Sequence, residues 1–205
     1  MSLFPMFVKL KRRRVVVVGG GEIAAGKLEG LLQAGAKVLL VSPAINAQIS
    51  SLVREGKIEW REKEFSSSDL QEAFLVIAAT SVPSVNEAVY NAAEKSGLLC
   101  NSVDDIENCH FYYGSVVQRG DLQIAVSTNG KSPALAQRLR KELEAQFGPE
   151  YESWLEWLGA ARDVLRSSGP AQAQNKEVLQ NLASRESFER FLAEAKRKPS
   201  TEGVE

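Results

Sequence analysis

Short apolar runs alternate with longer amphipathic stretches along the first half of the chain. Val15–Val18 places four β-branched residues in a row, which is typical of a strand buried on both faces. Four further strands are predicted at Lys37–Ser42, Lys57–Arg61, Phe74–Ala79 and Leu98–Asn101. Helices are predicted at Glu22–Ala34, Pro43–Gly56 and Pro83–Ser96, with a brief helical turn at Ser68–Gln71. This alternation predicts a parallel sheet with helices on both faces.

The pattern changes after residue 112, where a hairpin and a single helix are predicted. Tyr113–Gln118 and Leu122–Ser127 have strand patterns, and the short turn between them contains Gly120. Pro133 then begins a helix predicted to reach Phe147. These elements are too small to hold a core of their own, so we expect a two-fold homodimer to cover their apolar faces. Packing against the chain's own sheet is the alternative.

Helix-forming residues dominate from Glu150 to Lys198, with an apolar stripe around Trp154 and a break at residues 167–170. The predicted fold class is therefore α/β: a parallel sheet, then a small hairpin and helix segment, then an α-helical C-terminal domain. The predicted boundaries are 1–112 for the sheet domain, 113–148 for the dimerisation segment and 149–205 for the helical domain.

The motif Gly19-x-Gly21-x-x-Ala24 directly follows the first predicted strand and opens the first predicted helix. Gly19 permits a tight turn, Gly21 lets the backbone approach a pyrophosphate, and Ala24 keeps the helix close to the sheet. Free N–H groups at the helix start would then face the phosphates. Strand, glycine turn and helix together predict a dinucleotide site in a Rossmann-type unit. A plain tight turn between strand and helix is the alternative.

The choice between NAD and NADP stays open at this point. A strand that selects NAD usually ends in an acidic residue that binds the ribose diol. Here the second strand ends in Val41-Ser42-Pro43, which contains no acid. No arginine stands nearby to bind a 2′-phosphate either.

Composition narrows the classes of partner. The 205 residues carry a formal net charge of −1, so the overall charge does not favour nucleic acid as a partner. No apolar stretch is long enough to span a membrane, and the N-terminus lacks a secretory signal pattern. Cys100 and Cys109 are the only cysteines, and neither has metal-ligand spacing. Cys100 is predicted to be a buried thiol, and a cytoplasmic location is expected.

Two further features have both a structural and a functional interpretation. The basic run Lys11–Arg14 is short and isolated, which predicts a solvated lead-in to the first strand with at most one arginine facing an anionic ligand. His110 is the single histidine, and its usual pKa near neutrality would suit acid–base catalysis. We expect a structural or surface role for it.

Longer motifs, spread over nearly the full length of the chain, resemble those of a known protein family. They are Pro5-Met6-Phe7 with Leu10, Val18-Gly19-Gly20-Gly21 with Ala24 and Lys27, Ala78-Ala79-Thr80 with Asn86, Cys100-Asn101-Ser102-Val103-Asp104, and the run from Ala125 to Pro133. In these motifs the chain resembles the precorrin-2 dehydrogenase family, the N-terminal module of sirohaem synthase.

The resemblance implies oxidation of precorrin-2 to sirohydrochlorin with NAD as cofactor, in an intertwined homodimer, and in several members insertion of ferrous iron. Asp104 matches the family's functional aspartate and follows the fifth predicted strand, at the sheet edge where ligands bind. A carboxylate there suits proton removal from the macrocycle. The alternative is that Asp104 only caps a turn beside Asp105. The sequence has no metal-ligand cluster, so iron would be a substrate held by the tetrapyrrole.

The expected sites follow from these motifs. Cofactor contacts are expected at Gly19, Gly21, Glu22, Ile23, Ala24, Pro43, Ala44, Ala79 and Thr80. Substrate contacts are expected at Asn101, Ser127, Thr128, Gly130, Lys131 and Ser132. The second set offers N–H groups and hydroxyls at the positive end of the Pro133 helix, which suits a polycarboxylate. Arg119 and Arg138 are further candidate cations, with a solvated surface role as the alternative.

Two other classes of function compete. A non-catalytic nucleotide-sensing Rossmann regulatory module would usually keep the acid after the second strand and lack the Asn101–Asp104 and Ser127–Pro133 motifs. A small NADP reductase would more often show a Tyr-x-x-x-Lys pair, which is absent from this sequence.

Overall fold

A computed structural model describes residues 3–103, 105–167 and 172–197. The chain divides into two compact units, Met1–Tyr113 and Gly114–Glu205. The boundary between the dimerisation segment (113–148) and the helical domain (149–205) stays a prediction.

The first unit is built on a five-stranded parallel sheet in the order β3-β2-β1-β4-β5. Its strands are β1 (Arg14–Val18), β2 (Lys37–Val41), β3 (Glu59–Arg61), β4 (Leu75–Ala78) and β5 (Leu99–Ser102). β1 lies in the centre, with Val16 beside Leu39 of β2 and Val76 of β4. The predicted α/β fold class is confirmed.

Three helices cover the sheet, with a short 3-10 turn at Ser67–Leu70. They are α1 (Glu22–Gln33), α2 (Ala47–Arg54) and α3 (Pro83–Lys95). Val15 and Val17 pack in one apolar cluster with Ala24 and Leu28 of α1, while Val16 belongs to a second cluster that includes the buried face of α3. Burial of β1 on both faces explains its uninterrupted valines.

The prediction that Pro43 begins the second helix is wrong. α2 begins four residues later at Ala47, because the side chain of Asn46 accepts a hydrogen bond from the N–H of Ile49 at 2.9 Å and caps the helix. Pro43 lies in the loop between β2 and α2. This loop is part of the candidate site described below.

The second unit contains an antiparallel hairpin followed by helices. The elements are β6 (Ser115–Arg119), β7 (Leu122–Val126), α4 (Pro133–Gln146), α5 (Glu150–Ser167), α6 (Gln172–Leu182) and α7 (Arg185–Arg197). Tyr151 and Trp154 of α5 pack on Phe188 of α7, with ring centroids 4.5 and 4.7 Å from that of Phe188. Residues 168–170 of the predicted helix break lie outside the described residues. Within the described chain, no helix combines the length and apolarity that crossing a membrane requires.

Candidate functional site

The candidate site lies at the carboxyl ends of the parallel strands. From β1 the chain proceeds to β2 and β3 on one side, whereas β4 and β5 lie on the other. The strand order therefore reverses between β1 and β4, and open α/β sheets bind ligands in the crevice at such a point. The loops after β1, β2 and β4 are the ones that this geometry brings to the crevice.

The first two glycines of the turn allow these loops to pack closely. Gly19 has a φ of +124°, and a Cβ there would lie 2.3 Å from the carbonyl oxygen of Ala79. A Cβ on Gly20 would lie 1.9 Å from the carbonyl oxygen of Ala44. The sequence motif explains Gly19, but it gave Gly20 no role. Gly20 is needed because the loop after β2 crosses directly over it.

Gly21 differs from its two neighbours because the space beside it is open. No atom lies within 4 Å of where its Cβ would be. The first N–H groups of a helix have no intrahelical acceptors. Gly21 is the N-cap of α1 and provides no side-chain cap for them. Open space at the positive end of a twelve-residue helix fits the pyrophosphate of a dinucleotide. The residues present therefore fit the predicted cofactor.

The next residues of α1 divide between surface and core. Ile23 is 44% exposed, whereas Ala24 is fully buried against the sheet. Burial of Ala24 agrees with the close helix–sheet packing that the motif predicts.

Glu22 connects the start of α1 to the loop after β2. Its Oε1 accepts a hydrogen bond of 2.8 Å from Nδ2 of Asn46. The backbone N–H of Asn46 also donates to the carbonyl oxygen of Gly20 at 2.9 Å. A carboxylate therefore lies beside the β2–α2 loop although β2 does not end in an acid. The sequence pattern gave no role to Asn46, which holds this carboxylate in place.

The loop after β2 is shaped by hydrogen bonds to its own backbone. The hydroxyl of Ser42 donates to the carbonyl oxygen of Ala44 at 2.7 Å. The indole N–H of Trp60 donates to the carbonyl oxygen of Ser42 at 3.0 Å. Pro43 and Ala44 are exposed, so they form the surface of this loop. The loop from Ser42 to Asn46 contains no charged side chain.

Asn86 of α3 holds the turn after β4. Its Oδ1 accepts from the backbone N–H of Thr80 at 3.1 Å and from the Thr80 hydroxyl at 2.7 Å. Its Nδ2 donates to the carbonyl oxygen of Thr80 at 3.0 Å. Asn86 is 7% exposed, so these bonds form away from bulk water. Thr80 is therefore fixed by Asn86, and both of its donors are engaged within the protein.

Asn101 of β5 is buried, with 6% exposure. Its Nδ2 donates to the carbonyl oxygen of Phe111 at 2.8 Å and approaches Sγ of Cys109 at 3.3 Å. The side chain predicted to contact substrate is thus bonded within the first unit. Its position is suited to holding the segment after β5 rather than to meeting a ligand directly.

Cys109 ties together the turn that follows β5. Its thiol donates to the carbonyl oxygens of Ser102 and Asp105 at 3.0 and 3.1 Å, and it accepts from the N–H of Ser102 at 3.2 Å. Burial raises the pKa of the Cys109 thiol, so it stays protonated and able to donate. Asp104 itself lies outside the described residues. Its described neighbour Val103 donates its N–H to the carbonyl oxygen of Ala78 at 2.9 Å, at the edge of the sheet.

His110 has structural partners at both ring nitrogens. Nδ1 accepts from the N–H of Cys100 at 2.9 Å, and Nε2 lies 2.5 Å from a carboxylate oxygen of Glu94. The ring also stacks on Tyr90 with a centroid separation of 5.0 Å. These contacts agree with the structural role expected from the sequence. Cys100 is fully buried as predicted, and burial raises its pKa to about 12.

The predicted substrate loop lies in the second unit, before α4. The hydroxyl of Ser132 accepts from the N–H of Leu135 and caps the helix. The Thr128 hydroxyl accepts a hydrogen bond from the backbone N–H of Ser132, and the Ser127 hydroxyl accepts one from the backbone N–H of Asn129. All three hydroxyls can still donate to an anion after making these bonds.

Several residues of this loop are exposed, among them Ser127. Gly130, with a φ of +74°, and Lys131 are both exposed. The two other candidate cations have structural partners. Arg119 donates to carbonyl oxygens near the C-terminal end of α4, and Arg138 pairs with Glu142 one turn along the same helix. Among the described residues, no group of three or more histidine, cysteine or acidic side chains could hold a metal ion.

Two protein-family models match the chain, one over most of the first unit and one over part of the second. Residues 6–115 match a family model described as "Putative NAD(P)-binding". Residues 119–146 match the model described as "Sirohaem biosynthesis protein central". The dinucleotide cofactor predicted from the glycine motif is confirmed at the level of NAD(P).

Individual relatives agree with this assignment. A sirohaem synthase of Actinobacillus pleuropneumoniae serotype 3 is 37% identical over 191 residues, which are 93% of this chain and 39% of that protein. A sirohaem synthase of Yersinia enterocolitica is 45% identical over 173 residues, covering 82% of this chain and 37% of that protein. The chain thus spans about two fifths of the length of these relatives.

A solved structure matches over almost the whole chain. The protein titled SirC, precorrin-2 dehydrogenase, superposes with a TM-score of 0.79 at 26% identity, covering 96% of this chain and all of that one. The resemblance proposed from the sequence motifs is confirmed. The chain belongs to the NAD(P)-binding family. In this chain the NAD(P)-binding domain is followed by a segment that matches the central part of sirohaem biosynthesis proteins.

Proposed function

We propose that this chain oxidises precorrin-2 to sirohydrochlorin with NAD. The observation that carries the proposal is the whole-length likeness to a precorrin-2 dehydrogenase, in a chain whose glycine turn leaves room for a pyrophosphate. The regulatory-module alternative is less well supported, because the sirohaem biosynthesis segment follows the NAD(P)-binding domain.

The chain's own residues have binding and positioning roles in this proposal. When bound, the nicotinamide accepts a hydride from the macrocycle. The N–H groups that follow Gly21 hold the pyrophosphate, and Pro43 and Ala44 provide the loop surface on the adenosine side. Asn86 fixes Thr80 so that the turn after β4 keeps its shape beside the glycine turn.

The selection of NAD over NADP is proposed to depend on Glu22. In most NAD-selective Rossmann units an acid at the end of the second strand binds the ribose diol and repels a 2′-phosphate. Glu22 supplies a carboxylate from α1 instead, and Asn46 holds it against the β2–α2 loop. The loop has no charged side chain of its own, and the charge bonded to it comes from the Glu22 carboxylate.

Proton removal is proposed for Asp104. Loss of a hydride from precorrin-2 must be accompanied by loss of protons from the ring system, and a carboxylate is a suitable acceptor. The position of Asp104 in the sequence, next to Val103 at the edge of the sheet, supports this role. The Ser127–Ser132 loop is proposed to bind the carboxylates of the macrocycle through its hydroxyls and Lys131.

The direct test is conversion of precorrin-2 by the purified protein under anaerobic conditions. Sirohydrochlorin absorbance should rise when NAD is present, and it should rise much more slowly with NADP. Formation of sirohydrochlorin with NADP alone would contradict the cofactor choice, and no formation with either cofactor would contradict the proposed reaction. The ferrochelatase activity stays a prediction, which addition of ferrous or cobaltous ion to sirohydrochlorin would test.

A further inference from the structure

A second concave surface lies at the opposite edge of the sheet, where the strands begin. It has a volume of about 750 Å³. Its cationic lining residues are Arg12, Arg13, Arg14, Lys37 and Lys57. We call this surface the basic groove. Because β1 is five residues long, the groove is about 16 Å from the glycine turn and is separate from the candidate dinucleotide site.

The positive charge of the basic groove is only partly neutralised. Its two acidic lining residues are Glu59, which pairs with Arg61 at 3.2 Å, and Glu72, whose carboxylate is 3.9 Å from Arg14. Arg12, Arg13 and Lys37 form no ion pair within the described part of the chain. Three guanidinium or ammonium groups in one groove are therefore available to an anion.

Backbone hydrogen bonds fix the main chain that carries these cations. Arg12 has a φ of +64°, which is uncommon for a residue with a side chain, and its N–H donates to the carbonyl oxygen of Gly35 at 2.8 Å. The carbonyl oxygen of Arg13 accepts from the N–H of Lys37 at 2.8 Å. Backbone conformations of this kind persist only where the surrounding structure imposes them, and they are concentrated at ligand sites.

Arg14 adds an unsatisfied donor. Its Nε is buried and has no acceptor among the described residues. The neighbouring Arg13 lies over the ring of Phe74, with its guanidinium carbon 5.1 Å from the ring centroid. Stacking of Arg13 on the ring restrains the guanidinium and reduces the entropy lost when it binds an anion.

We propose that the basic groove is a binding site for a small polyanion with at least two phosphate or carboxylate groups. Guanidinium groups bind both chemistries through paired hydrogen bonds, and several cations in one groove suit a ligand with more than one anionic group. The volume of the basic groove lies in the range of small-molecule sites. The proposal is independent of the proposed dehydrogenase function.

Isothermal titration with pyrophosphate and with citrate, at physiological salt, tests the proposal and distinguishes the two chemistries. Each titration is repeated with Gly21→Asp, whose side chain enters the open space beside the glycine turn and keeps pyrophosphate out of that site. The test variant is Arg12→Gly with Lys37→Gln, because glycine adopts the backbone conformation of Arg12 without strain. The control variant is Lys141→Gln with Lys196→Gln, which removes the same charge from exposed positions of α4 and α7. Thermal unfolding checks that both variants fold.

We expect saturable binding of at least one anion, weakened about tenfold or more in the groove variant and less than twofold in the control. Tighter binding of pyrophosphate than of citrate would identify a phosphate ligand. Tighter binding of citrate would identify a carboxylate ligand. Absence of saturable binding, or equal weakening in both variants, would overturn the proposal. Binding of an oligonucleotide but of neither small anion would overturn it as well.

Discussion

The three glycines that follow β1 differ in what surrounds them. Gly19 and Gly20 have backbone carbonyls where a side chain would begin, whereas Gly21 borders open space. Any side chain at the first two positions must displace a neighbouring loop. A side chain at Gly21 leaves the fold intact but enters the space that we assign to the pyrophosphate.

Replacement of Gly21 by aspartate should therefore weaken NAD binding about 100-fold, since it adds both bulk and negative charge beside the phosphates. Calorimetric titration with NAD measures this effect. The matched control is Gly26→Asp, because Gly26 is also in α1 and no atom outside the nearby helix backbone lies within 4 Å of its Cβ position. Unchanged NAD affinity in Gly21→Asp would show that the pyrophosphate binds elsewhere.

Cofactor selectivity should depend on the Glu22 carboxylate. Glu22→Gln retains the side-chain length but removes the charge, so NADP affinity should rise relative to NAD by about fivefold, or about 1 kcal/mol. Fluorescence titration with both reduced cofactors measures the ratio. Glu29→Gln, an exposed change further along α1, is the control. A ratio that is the same in all three proteins would exclude Glu22 as the selecting residue.

At the scale of elements, the fold was largely predictable because each strand and helix has a local cause. The valines of β1, the glycine turn and Pro83 at the start of α3 are all visible in the sequence. The start of α2 was predicted wrongly, because proline and asparagine are both acceptable at a helix start and the Asn46 cap decided between them.

The candidate site was less predictable than the fold, because its supporting contacts join residues far apart in the chain. Glu22 meets Asn46 across 24 residues, and no local pattern indicates that pair. The hydrogen bonds of Asn101 to the segment near Cys109 likewise arise only when the turn after β5 folds back. The sequence motifs identified which segments matter, while the structure shows which side chains are engaged within the protein.

The 3-10 turn at Ser67–Leu70 provides a prediction at this scale. Asp69 is 2% exposed and forms ion pairs with Arg61 and Lys63 at 3.3 and 2.7 Å. Burial opposes ionisation, but hydrogen bonds from Lys63 and Ser66 outweigh it and lower the pKa of Asp69. Because the folded-state pKa is lowered, this stabilisation is present above the unfolded-state pKa and is lost as the pH falls through the folded-state value.

Asp69→Asn should lower the free energy of unfolding at neutral pH by about 2 kcal/mol. This value is below the usual cost of breaking a buried ion pair because the cations are 40% and 41% exposed and can be rehydrated. Urea unfolding at neutral and acidic pH measures the effect, with the exposed Asp121→Asn as control. The difference in free energy of unfolding between Asp69→Asn and wild type should shrink at acidic pH. A difference that stays constant with pH would contradict the assigned role of the Asp69 carboxylate.

At the scale of the whole molecule, the homodimer remains a prediction that the second unit supports. Val116 of β6 and Leu135 of α4 are 41% and 39% exposed, and a second copy would cover them. Light scattering at micromolar concentration should give the mass of a dimer. Leu135→Glu should shift the mass toward the monomer, whereas Val164→Glu, on an exposed position of α5, should not. A monomeric wild-type protein would contradict the prediction.

The dehydrogenase assignment is tested most directly by following reduced nicotinamide and sirohydrochlorin together in one anaerobic sample of protein, precorrin-2 and NAD. We expect the two products to form in equal amounts. Asp104→Ala should bind NAD with wild-type affinity and lose most of this turnover, while Asp105→Ala should retain more of it. Formation of sirohydrochlorin without reduced nicotinamide would contradict the proposed reaction. Wild-type turnover in Asp104→Ala would contradict the proposed role of the Asp104 carboxylate.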